Sequence, residues 1–252
     1  MKKFLASIIL IVLCQGYSYG QKKYEMVVKT TDGKELTIKA EDLVRTYFRK
    51  IEEEPPANAG LCPDNHHPHM IDLGLPSGTK WACCNVGASV PEEFGLYLSW
   101  GESASKEDYS DKKYLHKNGN EYIDIGANIT KTQYDAAYVL WGDSWQMPTV
   151  DQFNELLEFT QYSWVERNGV YGGLFTSSNG KSVFLPAAGG IWKKEVLGDN
   201  LEGYYWTSEI GKSYDYTAWF LSFDFDRAKM FHIEGHRFVG RSVRPVHVNS
   251  EN

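Results

Sequence analysis

The sequence predicts an α+β fold: two helical patterns precede residue 160, short strand-like runs fill the rest, and the composition is rich in rings and glycine. Aromatics make up 14% of the 252 residues, with 8 Trp, 16 Tyr and 12 Phe beside 23 Gly. Such side chains fill a core between short strands, where a helical bundle would use leucine. At 42% hydrophobic, the chain has material for one sizeable core and not for two large ones.

The elements follow in order. Residues 1–20 read as a cleaved leader. Lys2 and Lys3 precede an apolar run from Phe4 to Cys14, and Ser18-Tyr19-Gly20 places small residues at the two positions read by a signal peptidase. The run is short for a bilayer span, and no later segment is apolar enough for one. Lipidation at Cys14 is disfavoured by the bulky Leu13 before it. The mature chain is therefore expected in the periplasm, on the cell surface or secreted, with no transmembrane segment.

Residues 21–50 form an expected N-terminal β-hairpin segment: Tyr24–Lys29 and Glu35–Lys39 flank an Asp32-Gly33 turn. Glu41–Arg49 suits a short amphipathic helix or a third strand. Residues 51–68, charged and then Pro-rich, read as a linker. The main domain is placed at 69–248. In it, Lys80–Val86 and Phe94–Trp100 read as extended, and 101–129, polar and aperiodic, as a surface excursion. Gln133–Trp141 reads as a helix stopped by Gly142. A second helix starts at Thr149, where Gln152 completes a capping box and Phe153, Leu156 and Leu157 form an inward stripe. Strands are expected at Val183–Pro186, Gly203–Ser208, Thr217–Phe223, Lys229–Ile233 and Arg241–Val246.

Charge narrows the partners. The formal net charge is −7. Removing Lys2 and Lys3 leaves 24 basic against 33 acidic residues, a net of −9, which argues against nucleic acid. Cys62, Cys83 and Cys84 remain in the mature chain. An oxidising compartment favours one disulfide, from Cys62 to either Cys83 or Cys84, over a thiolate metal site with His66, His67 and His69, because no paired C-x-x-C spacing exists.

Several blocks resemble one family. Asp72-Leu73-Gly74-Leu75-Pro76-Ser77-Gly78-Thr79-Lys80-Trp81-Ala82, Trp100-Gly101-Glu102, Trp141–Thr149, Phe184–Gly189, Tyr204–Ser208 and Ser242-Val243-Arg244-Pro245-Val246 resemble, in order, the Fibrobacter succinogenes major paralogous domain family of exported bacterial proteins. The resemblance implies a C-type-lectin-like fold, distantly related to formylglycine-generating enzymes. It also implies that a family cysteine is missing near Thr160, which points to Cys62 and Cys83 as the disulfide. Those enzymes need a late cysteine pair for copper, and no cysteine follows Cys84, so a non-enzymatic protein with no cofactor and no metal site is expected.

Other chemistry is thin. Asp224 and Asp226 offer too few oxygens for calcium, and a solvated strand face with Phe inward explains them. His232 and His236 read as surface residues, and no nucleophile elbow or phosphate loop appears. Trp100, Trp192 and Tyr204 are the candidate ligand-binding residues, because aromatics stack on sugar faces and peptides at low entropy cost. The expected function is binding or structural, with a glycan or protein ligand; a divergent enzyme and an adhesin or fimbria-associated subunit are the alternatives.

Overall fold

The expected N-terminal hairpin pairs as two antiparallel strands, and a third strand joins it from within the expected leader. The computed structural model describes residues 9–11, 25–29, 35–39, 69–230 and 235–247. The chain divides into two units, Met1–Glu54 and Pro55–Asn252. In the first, β1 (Ile9–Ile11) pairs with β2 (Glu25–Lys29), which pairs with β3 (Glu35–Lys39). The expected element over 41–49, the linker with Cys62, His66 and His67, and His232 lie outside the described residues.

The second unit opens with β4 (Met70–Asp72) antiparallel to β5 (Lys80–Ala82). The extended reading of Lys80–Val86 stops at Ala82, because the chain bends at Cys83 and Cys84. Strand alternation no longer governs there, and both cysteines are buried, at 2% and 0% exposure. Cys84 is the one held in a disulfide, and Cys83 is a buried thiol with its sulfur 3.9 Å from that of Cys84. The expected Cys62–Cys83 disulfide is thereby corrected; the partner of Cys84 lies outside the described residues. Phe94–Trp100 contributes one bridge, Leu98 to Arg241, and no strand.

The polar stretch 101–129 is no loose excursion. It carries a 3-10 turn at Asp111–Lys113 and a small hairpin of β6 (Lys117–Asn118) and β7 (Glu121–Tyr122). It also buries Tyr109, Tyr114, Ile125 and Ile129. Its rings pack on the C-terminal segment: the Tyr114 hydroxyl donates to the Trp100 carbonyl at 2.7 Å and accepts from Arg237 Nε at 2.9 Å.

Helix α1 (Ala136–Trp141) begins three residues later than expected. Asp135 caps it, accepting from Ala137 N and Tyr138 N, and Gly142 ends it at φ 89°. The same carboxylate accepts from Met147 N, tying the helix to β8 (Trp145–Gln146). Helix α2 (Val150–Phe159) starts with the expected capping box between Thr149 and Gln152, burying Phe153 and Leu156.

Two eight-residue strands follow that composition alone did not single out, β9 (Thr160–Arg167) and β10 (Val170–Ser177), in register from Arg167↔Val170 to Thr160↔Ser177. Their turn is Asn168-Gly169, both at positive φ (50° and 80°), the left-handed pair that a tight hairpin requires. β11 (Ser182–Pro186) completes this sheet as an edge strand, where Pro186 needs no ladder donor.

β12 (Gly190–Trp192) and β13 (Glu195–Leu197) form a short hairpin. The central ladder comes next: β14 (Gly203–Ile210), β15 (Thr217–Phe223) and β16 (Ala228–Met230), with β17 (Gly235–His236) also on β15. Gly203 has no substitute, since a Cβ there would fall 2.0 Å from the Phe223 ring. The expected closing strand over Arg241–Val246 is mostly isolated bridges; only β18 (Val246–His247) pairs regularly, between β5 and β8. The domain's last strand thus lies beside its first ones.

Among the described residues three buried clusters fill this unit, the smallest of them Tyr114, Phe238 and Val239; the two larger ones form the main core. One gathers Trp100, Trp145, Trp206 and Val243, the other Trp81, Phe153, Phe175 and Phe223. Two helices among small antiparallel sheets make an α+β fold. No helix among the described residues is long and apolar enough to cross a membrane.

The cysteine assignment is directly checkable. Cys84→Ser should abolish the disulfide seen by non-reducing peptide mapping and cost about 2–4 kcal/mol of stability. Cys83→Ser should leave the bond intact and cost less.

Candidate functional site

Three arginines stand within eight residues of the closing segment, and they are treated differently. Arg244 is fully buried and satisfied: Nε donates to Asn85 Oδ1 at 2.8 Å, Nη1 to the Ala82 carbonyl and Nη2 to the Phe184 carbonyl, both at 3.0 Å. Arg237, also fully buried, donates to Tyr114, Asp215 and Ile123 oxygens and stacks over Trp100 at 4.9 Å. These two are structural pins.

Arg241 differs. Its Nε and Nη1 are shut off from water without a hydrogen-bond partner. Its guanidinium lies 3.5 Å from the Phe220 ring centroid, 4.6 Å from Trp206 and 5.2 Å from Tyr204. Burial strips water from the charge and pulls its pKa down to about 9, against a raising pull from Tyr204. Cation–π contacts return ~0.5–2 kcal/mol each, whereas an unpaired buried charge costs several kcal/mol. No carboxylate among the described residues forms an ion pair with it.

The cation lines a cavity of about 510 Å³ with Trp192, Glu202, Tyr204, Phe220 and His236 on its walls. The backbone fixes it there. Arg241 N donates to the Leu98 carbonyl at 3.0 Å and Leu98 N donates back at 2.9 Å. Gly235 keeps the space open, because a Cβ would come within 2.5 Å of Arg241 Nη2. Tyr204 donates to the Glu202 carboxylate, and burial followed by that bond pushes its pKa up. His236 is packed against Trp192, Tyr216 and Phe238. Burial, then the Arg241 charge, lowers its pKa, so the neutral ring is favoured.

Two of the three expected contact residues meet here. Trp192, 40% exposed, stands at the rim, and half-buried Tyr204 forms a wall. Trp100 is not with them. It is fully buried under Arg237, with Nε1 donating to the Thr207 carbonyl at 2.9 Å, and has no surface to offer a ligand. Arg241 directly precedes the Ser242–Val246 block in the sequence, and nothing in its spacing marks it as a site residue.

Asp224 and Asp226 do not share a strand face. β15 ends at Phe223, and Asp224 Oδ1 caps the turn by accepting from Asp226 N and Arg227 N. Phe225, expected inward, is 70% exposed. Among the described residues no group of three His, Cys, Asp or Glu gathers to hold a metal. Comparison with protein-family models, curated proteins and solved structures returns no match to this chain.

Substitution should separate the arginines. Arg244→Met strands three buried neutral acceptors and should lower stability in urea unfolding by about 1–3 kcal/mol for each group left unsatisfied. Arg241→Met, which removes a charge that no described carboxylate pairs with and keeps the ring contacts, should leave the midpoint unchanged or raise it. The histidines set a pH trend. His116 and His236 have folded-state pKa values below 6.5 through burial, so the unfolded chain takes up their protons first. Stability present above pH 6.5 should fall as the pH drops below it, and thermal midpoints measured from pH 7 to 5.5 should show the decline, shallower in His116→Asn.

Proposed function

We propose that this chain is an exported, non-catalytic binding protein of the bacterial cell envelope that takes its ligand in the aromatic cavity around Arg241. The observation that carries the reading is a guanidinium that no carboxylate among the described residues neutralises, set in a concave, ring-lined space. Ligand sites of this kind join apolar walls to a few oriented polar groups. The resemblance of residues 69–248 to the major paralogous domain family supports a C-type-lectin-like fold. So do the two helices and the pairing of the domain's last strand with its first ones. Trp192 at the rim and the Glu202 and His236 polar groups suit a hydroxylated ligand with one apolar face, which favours a glycan over a flat protein surface.

Assembly into an adhesin or fimbria-associated structure is a second reading, and one observation favours it. β1 covers one edge of β2, and β1 lies in the expected leader. Cleavage removes it and opens that edge to a strand from a partner.

A glycan and mucin array probed with the full chain as exported by an expression host tests the main reading. Retention of at least one glycan class is expected, with no change in EDTA, because hydrogen bonds and stacking supply the recognition. A blank array overturns the glycan reading.

A further inference from the structure

We propose that the cavity selects an acidic sugar, a hexuronate-type residue whose carboxylate docks on Arg241 while a ring face rests on Trp192. This inference rests on the binding reading above and specifies its ligand. Arg241 is the only arginine or lysine among the described residues with shielded donors that lack a partner. A guanidinium matches a carboxylate bidentately, and the match is strongest where water is excluded. Among the described residues no carboxylate takes the place: Glu202, on the same wall, is engaged by Tyr204. The neighbouring arginines show that the fold knows how to neutralise such a group, since Arg237 and Arg244 each have donors bonded to three different residues.

A peptide fits less well. An extended peptide recognises a free strand edge, and the strand on this wall has none: Ile191 pairs with Val196 on one side and with Gly240 on the other. Sugar hydroxyls instead find Glu202 as acceptor and the neutral His236 ring as donor or acceptor. Trp192 also lines a second concavity of about 340 Å³ with Asp111, Lys112 and Lys193. The indole therefore stands between two hollows, and a chain of more than one sugar has room on both sides of it.

The test titrates the full chain with glucuronate against glucose and galacturonate against galactose, pairs that differ only at C6, by calorimetry or ligand-observed NMR. The acidic member of at least one pair should bind about tenfold or more tighter than its neutral twin. Arg241→Met should erase that preference, Arg241→Lys should retain part of it, and Trp192→Ala should weaken both members alike. Equal binding within each pair, unmoved by Arg241→Met, overturns the acidic-sugar inference and leaves glycan binding standing. Capture of Ala-Ala dipeptide with no sugar bound overturns it in favour of a peptide carboxylate. Failure of every sugar together with a blank array overturns both this inference and the proposed function.

Discussion

The buried guanidinium of Arg244 is the contact on which the rest of the domain hangs. Its three bonded donors reach a carbonyl at the end of the strand Lys80–Ala82, the side chain of Asn85 and a carbonyl in the edge strand Ser182–Pro186. One side chain thereby joins the start, the middle and the end of the unit, and it does so where an unmade bond is most costly. The ring contacts around it add area, but area alone has no direction. The guanidinium fixes which segments meet.

Around that pin the closing segment runs as isolated bridges, exchanging backbone bonds with Ile191 and Leu98 and then, through Ser242, with Tyr204 and Trp206. A regular strand would have to choose one neighbour per edge. Irregular pairing lets a short stretch touch several sheets, and it aims successive side chains in different directions. Arg237 is turned into the rings of 100–122, Arg244 into the junction of strands, and Arg241 into an open hollow. Structure and candidate site are two outcomes of the same device.

Local signals made much of this legible. The capping box at Thr149 and the glycine stop at Gly142 mark helices because they satisfy backbone groups within a few residues. The hairpin over 160–177 turns on Asn168-Gly169, but its strands hold Gly172 and Gly173 and mixed polar residues that dilute strand composition. Residues 101–129 misled for the opposite reason: their tyrosines bury against partners over a hundred positions away, which no local period records. The site was half legible. Trp192 and Tyr204 stood out as aromatics, whereas Arg241 could be told from its neighbours only by which donors the fold leaves unmet. The cysteine choice came from the resemblance, which pointed to Cys83, whereas Cys84 carries the disulfide.

The double pairing of Ile191 has a consequence for how such a hollow changes over time. Its floor is backbone bonded on both edges, so little freedom is left to lose when a guest arrives, and the fit is set in advance. On the proposed reading, the groups that would choose the guest, Trp192, Glu202 and His236, project from that frame as side chains. On that reading, exchanging them would change selectivity while the backbone pairing of Ile191 stays in place.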